Sequence, residues 1–338
     1  MGAARIKIEE ERRHNSLLIT LLSVGTVFTD GDKGKAADMV LTGGVIYMVD
    51  DSGTIAEAVA IKNGRITFVG RAADAEKFIG PGTEVINLEG KMVLPGMIET
   101  HLHPPGTTLT DLYNISLFNV MNNLDSTMAA IKQFVQENPD LDMYFGAGFS
   151  TSAFGGQEAA LGPKKERLDE ICPDKRMYLR SHDGHIMWLN SKAFELAGVT
   201  KDTPDPVGGR IERDPDTGEP WGTIKEALGY FVPEQDFTLE QRVEAMELFQ
   251  DKMHSWGYTG LFDASCFEGM AEAYKALADT GQLNLRIRAA LPIRPEKDVA
   301  SQVEELKNSG TPIIATSSSL RPPSSSPTVL LRQLPPTC

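Results

Sequence analysis

Cysteine is scarce and poorly placed for staples: the 338 residues hold three, Cys172, Cys266 and Cys338. An odd, scattered set carries neither a disulfide framework nor a Cys-x-x-Cys metal spacing, and implies packed thiols instead. Basic charge is in deficit, with 33 Lys and Arg against 47 Asp and Glu and a formal net charge of -14. That argues against binding nucleic acid or an anionic membrane surface through a basic patch. Long apolar runs are missing too. The longest, Leu17 to Phe28, is too short to cross a bilayer. Arg5, Lys7, Arg12 and Arg13 precede it, as in the apolar core of an export signal, but Glu9, Glu10 and Glu11 largely cancel their charge and no small-residue cleavage site follows closely. The expectation is a cytoplasmic chain with an N-terminal extension over residues 1–37, export being the alternative. There is no phosphate-binding Gly-rich loop ending in Lys-Ser/Thr and no Gly-x-Ser-x-Gly nucleophile turn. Gly146-Ala147-Gly148 lacks the third glycine of a dinucleotide fingerprint.

The composition that remains, 41% hydrophobic and 24% charged, is that of a globular protein with a sizeable core. From Asp38 to Leu88 the chain alternates short apolar runs with turns. Met39–Leu41 leads through Gly43-Gly44 to Val45–Met48, and Ala58–Lys62 and Ile66–Val69 flank Asn63-Gly64, the strongest short-range hairpin signal. From Lys91 on, strand-like and helical runs alternate. Strands are predicted at Pro95–His101, Met143–Phe149, Met177–Ser181, Gly260–Asp263 and Leu285–Leu291. Helices are predicted over Ser126–Glu137, Lys164–Ile171, Ser191–Leu196, Thr238–Ser255, Glu268–Ala278 and Glu296–Lys307. Such alternation predicts a parallel sheet, open or closed into a barrel. Thr200 to Trp221, rich in Pro, Gly and Asp, is expected to be a long excursion over the sheet. Residues 316–338 are Ser/Pro-rich and without acidic residues, a tail either disordered or read out of frame.

The chemistry concentrates at Leu94-Pro95-Gly96-Met97-Ile98-Glu99-Thr100-His101-Leu102-His103. Side chains two apart on a strand share a face, so the two imidazoles can converge on one ion where the strand emerges into a loop. A pair of surface histidines is the plain alternative. Asp263, at the end of Gly260-Leu261-Phe262-Asp263, suits a functional strand end or a helix N-cap equally well.

These motifs resemble the amidohydrolase superfamily, and more closely its amidohydrolase-3 branch, which includes N-substituted formamide deformylases. The resemblance runs from Ala37-Asp38-Met39-Val40-Leu41 through Ile61–Ile66 and Leu88–Lys91 to His101-Leu102-His103. It returns at Asp183-Gly184-His185-Ile186-Met187-Trp188-Leu189-Asn190-Ser191, at Gly222-Thr223-Ile224-Lys225-Glu226-Ala227 and at Gly257–Asp263. It implies an α/β fold, a (β/α)8 TIM-type barrel with a small N-terminal β-sandwich portion over residues 38–90. It also implies one or two divalent metal ions, zinc by ligand type, at the strand ends. His101 and His103 match the first-strand ligand pair. Glu226 falls where relatives carry an acidic residue that can complete the metal site, with carbamylated Lys225 as an alternative and a helix-start carboxylate as the plain reading. His185 and Asp183 fall on the substrate side. The implied activity is hydrolysis of non-peptide carbon–nitrogen bonds in a small amide-type substrate by metal-activated water.

The sequence also departs from the pattern. Of its six histidines, His14, His101, His103, His182, His185 and His254, none lies beyond His254, where relatives supply further ligands. A barrel of eight strands takes about 250 residues, and residues 91–315 yield five or six strands. The expectation is therefore a partial barrel truncated at its C-terminal side, with compromised activity. The alternative is a non-catalytic member of the same family.

Overall fold

The computed structural model describes residues 36–226, 229, 231–267, 269–292, 298–308, 313–315 and 328–332. The apolar run Leu17 to Phe28, His14 and Cys338 lie outside the described residues. The chain divides into two compact units. One holds the described residues up to Pro104 and from Glu247 onward, and the other holds Pro105–Met246.

In the first unit β1 (Met39–Tyr47), β2 (Ile55–Lys62), β3 (Arg65–Gly70), β4 (Glu84–Asn87) and β5 (Met92–Val93) form one sheet in the order β3-β2-β1-β4, with β5 also on β1. The β2–β3 turn is the expected Asn63-Gly64 hairpin, both residues at positive φ (49° and 68°), as the primed turns of two-residue hairpins require. A register break between Thr42 and Ile46 falls at Gly43-Gly44. A Cβ on Gly44 would sit 2.4 Å from the Lys91 carbonyl oxygen, so glycine is needed for the backbones to pass. Alternation along β1 and β2 sends Leu41, Ile46, Ala56 and Val59 into one apolar cluster with Leu88 and Val93. Val40, Ala58 and Ala60 go into another with Ala75 and Phe78. Both faces of this sheet are therefore covered.

The first unit's other sheet is built on β6 (Met97–Leu102). In the second unit β7 (Ile115–Ser116), β8 (Met143–Phe149), β9 (Arg176–Ser181), β10 (Ile186–Leu189), β11 (Arg210–Arg213) and β12 (Pro220–Lys225) form a six-stranded sheet in the order β11-β12-β10-β9-β8-β7. Here the parallel expectation holds for only part of the sheet. β7, β8 and β9 run parallel, while β10, β12 and β11 pair antiparallel. The stretch Thr200 to Trp221, expected as a loop excursion, supplies β11 and the start of β12. Its acidic residues build the turn between them: Asp214 Oδ1 accepts the Asp216 and Thr217 N–H groups. Around this sheet, helix α1 (Leu124–Glu137) starts at Asn123, whose side chain accepts from Ser126 N at 2.8 Å. Helix α2 (Ser191–Leu196) starts at the fully buried Asn190. Its Oδ1 accepts from Ala193 N and Met177 N, and its Nδ2 donates to the Cys172 and Lys175 carbonyls. Trp188 on β10 is the centre of the core, fully buried. Its ring meets Phe149 and Phe154 edge-to-face at 5.7 and 5.5 Å, and its indole N–H donates to the Lys164 carbonyl.

Helix α3 (Leu239–Ser255) begins in the second unit and ends in the first. There β13 (Tyr258–Asp263), helix α4 (Met270–Asp279), β14 (Arg286–Pro292), helix α5 (Val299–Asn308), β15 (Ile313–Ala315) and β16 (Thr328–Arg332) follow. β6, β13 and β14 are parallel neighbours, and β16 then pairs antiparallel with both β14 and β15. The segment 316–338, expected as a structureless or aberrant tail, thus contains a strand at Thr328–Arg332; the rest of it lies outside the described residues. No helix among the described residues is long and apolar enough to cross a membrane.

Candidate metal and substrate sites

In the first unit, β6 is placed by a close approach at its start. A Cβ on Gly96 would lie 2.3 Å from the Thr259 side chain, so glycine lets β6 seat against β13. The pairing carries a register shift between Leu261 and Asp263, which sets Asp263 beside Leu102. His101 is the penultimate residue of the strand and His103 follows its end, both exposed. Their rings stand 5.4 Å apart at an interplanar angle of 84°, so the two imidazoles do converge. The Glu99 carboxylate accepts the Thr100 and His101 N–H groups and fixes the backbone just before the pair. A cavity of about 330 Å³ opens at the opposite ends of β6 and β13, lined by Leu88, Met92, Met97, His254, Trp256 and Tyr258 among others. The histidine pair does not line it.

Beside the pair stands a group whose role the sequence left open. Asp263 is fully buried, and its carboxylate accepts from the Tyr274 hydroxyl at 2.9 Å. Burial raises its pKa, against the opposing pull of Tyr274, the Ser265 N–H and the charge of His103. Burial also pushes the Cys266 thiol and the Tyr274 phenol up, so both stay protonated at neutral pH. Asp263 is not a helix N-cap: α4 begins at Met270, capped by Gly269 in the left-handed conformation.

The second unit carries Asp183, His185 and Glu226. Antiparallel pairing of Ile186 with Lys225 brings the residues flanking β10 and β12 together. Glu226 N–H donates to the His185 carbonyl, and His185 Nδ1 lies 3.1 Å from Glu226 Oε2. Glu226 holds a positive φ of 53°, a conformation that costs a non-glycine residue free energy and recurs at functional sites. Asp183 accepts from the Ser181 hydroxyl at 2.5 Å and from His185 N at 3.1 Å, and these bonds, the serine's first, hold its carboxyl below the usual range. Lys225 donates to the Ala160 carbonyl at 2.7 Å and pairs with the buried Glu212 at 2.9 Å, which Arg210 also meets. The Lys225 Nζ is thus engaged by two partners within the second unit. His182 Nδ1 lies 3.3 Å from the Phe149 carbonyl, which occupies the ring locally.

The Glu226 hydrogen bond, and then its charge, raise the His185 pKa. The sign follows: the ion pair is complete below the ordinary imidazole range and is lost as pH rises through the elevated folded-state value. Both side chains are well exposed, so the readout is local. In an NMR titration of the metal-free protein, His185 should deprotonate later than an ordinary imidazole, and Glu226→Gln should return it toward the usual value. An unchanged His185 titration in that variant would contradict the pairing.

The fit to a metal can be judged on the donors. Two convergent imidazoles supply two of the four positions a zinc-like ion takes. Among the described residues, no three His, Cys, Asp or Glu side chains gather closely enough to hold an ion. The pair therefore fits part of a metal site.

Comparison with known proteins places this geometry in a class. The fold matches an uncharacterized metal-dependent hydrolase from Pyrococcus furiosus with a TM-score of 0.56 at 22% identity, over 82% of this chain and 54% of that one. The sequence then gives the family: the amidohydrolase family model matches residues 84–322, and the chain belongs to that family. Its curated relatives include Protein LONG AFTER FAR-RED 3 of Arabidopsis thaliana, 36% identical over 63% of this chain and 36% of that protein. N-substituted formamide deformylase of Arthrobacter pascens is 29% identical over 73% of this chain and 46% of that enzyme. The chain thus spans between about a third and a half of the length of these two relatives.

Proposed function

We propose that this chain is part of a metal-dependent hydrolase acting on non-peptide carbon–nitrogen bonds of small amide-type substrates. The observation that carries the reading is the convergent His101–His103 pair at the end of a parallel strand, in a chain of the amidohydrolase family. In this reading β6, β13 and β14 belong to a (β/α)8 barrel, and the β1–β5 sheet belongs to a β-sandwich. His101 and His103 hold a divalent cation, for which zinc suits imidazole donors. Such an ion, when bound, would activate water near neutral pH and polarise a carbonyl.

The chain's own residues supply the rest. Glu226, a carboxylate hydrogen-bonded to an imidazole, can take a proton from water and pass it to a leaving nitrogen; the expected role of Glu226 as a third ligand beside His101 and His103 is not met, since no three such side chains gather among the described residues. His185 and Asp183 orient the substrate. N-substituted formamides are the substrate class to try first, because the Arthrobacter relative is named for them.

Two measurements test this together. Metal analysis after dialysis against zinc should show retained ion that His101→Ala and His103→Ala each remove, with a loss exceeding the roughly 10–100-fold typical of outer-sphere changes. Turnover of an N-substituted formamide, assayed by formate release, should be compromised in the wild type, where the pair supplies only part of a metal site, and should fall further in the same variants. Zinc retention equal in wild type and both variants would sink the reading.

A further inference from the structure

A buried carboxyl group costs free energy unless it is paired, and the bonds of Asp263 pin the turn that leads from β13 past His103. Three bonds pin the turn that follows it. Ala264 N–H donates to the carbonyl of Leu102, the residue between the two histidines, at 2.8 Å. Ser265 N–H returns to Asp263 Oδ1 at 3.2 Å. Cys266 N–H donates to the Ala290 carbonyl on β14 at 2.7 Å. The turn is thus anchored to the strands on either side of β13. At its far end Phe267 is 55% exposed, with its ring centroid 5.9 Å from that of His103. From below, Tyr274 on α4 clamps Asp263 through its hydroxyl. One short segment, pinned by a buried carboxyl, therefore holds the backbone between the two histidines and sets an aromatic ring beside the His103 imidazole.

We propose that the Asp263–Phe267 turn is a positioning element for His103: the Tyr274-clamped carboxyl of Asp263 pins the turn, and through its bond to the Leu102 carbonyl and the ring of Phe267 the turn holds the imidazole in the orientation in which it takes up a divalent cation. The inference rests on the reading of His101 and His103 as an ion-holding pair. Its physical basis is general: the partners and packing around a metal-binding imidazole set its orientation, and losing such a partner typically costs about 10–100-fold in affinity.

The test is zinc affinity by competition with a chromophoric chelator, together with ¹⁵N NMR of the imidazoles in the metal-free chain. Asp263→Asn should weaken zinc binding by roughly 10–100-fold, with Tyr274→Phe and Phe267→Leu weakening it less. In each variant the His103 ring should move from one dominant tautomer toward a mixture while His182 and His185 keep their signals. A merely structural role would leave the tautomer of His103 unmoved. Phe267 is exposed, so Phe267→Leu decides the matter if Asp263→Asn does not fold. Unchanged affinity and tautomer in the turn variants, with His103→Ala still losing the ion, would overturn the inference and leave the ion-holding pair standing. Zinc bound as tightly by His103→Ala as by the wild type would overturn both.

Discussion

Replacing Trp188 with alanine is expected to destabilise the second unit by about 3–5 kcal/mol, the range for removing a large aromatic side chain from a close-packed core. Trp188 is fully buried, and its ring closes the cluster formed by Phe149, Phe154, Tyr144 and Met177. Truncation leaves a cavity among side chains that are themselves locked edge-to-face, and it strands the Lys164 carbonyl that now accepts the indole N–H. The effect reaches the candidate site through the strand. β10 is four residues long, with His185 just before it and Asn190 just after it. Loosening Trp188 therefore loosens the backbone that pairs His185 with Glu226. Urea unfolding followed by tryptophan-independent far-UV circular dichroism measures the loss. A Trp188→Ala protein within about 1 kcal/mol of wild type would mean that this core rearranges to fill the space, contrary to the packing described.

Some of this arrangement is legible in the residues alone, and the reasons differ from place to place. Asn63-Gly64 is readable because few residues tolerate two successive positive φ angles, and both are observed there. Helix α2 is readable to the residue, since Asn190 caps it and Leu196-Ala197-Gly198 ends it. The histidine pair is readable because strand geometry alone puts i and i+2 on one face. The mixed sheet of the second unit is hidden for opposite reasons. β10 and β12 are buried on both faces, so they show no alternation, and β12 contains a proline and a glycine that normally mark turns. The partnership of His185 with Glu226 spans 41 residues of sequence. It depends on the register of two strands that no local pattern reveals. Asp263 shows a third kind of gap. A polar residue at a strand end is visible in the sequence, but its burial and its Tyr274 partner appear only once α4 packs beneath it. Local preference thus sets the turns, caps and strand ends, while the antiparallel register that assembles the second unit's candidate site is a tertiary outcome.

That register has a tight point at Gly222, and changing it should produce the other large effect. Gly222 on β12 lies at φ 140°, and a Cβ there would meet Lys165 N at 2.3 Å and the backbone of Pro163 and Lys164 at 2.8 Å. The obstacle is main chain that cannot swing away. Lys165 N–H donates to the Trp221 carbonyl at 2.9 Å, the Trp221 indole donates to the Gly162 carbonyl at 2.7 Å, and the Thr223 hydroxyl donates to the Pro163 carbonyl at 2.9 Å. Overpacking costs about 1–3 kcal/mol and an unfavourable φ a similar amount, so Gly222→Ala should lose about 3 kcal/mol or more. Relief requires β12 to move away from the Pro163–Lys165 segment, and β12 carries Lys225 and, directly after it, Glu226. The upward shift of the His185 titration should therefore shrink along with stability, although the substitution touches neither partner. Gly155→Ala is the control, because nothing lies within 4 Å of the Cβ it would gain. If Gly222→Ala matches Gly155→Ala to within about 0.5 kcal/mol in urea, and His185 titrates as in the wild type, the close approach of β12 to the Pro163–Lys165 backbone is not what fixes the Glu226–His185 pair.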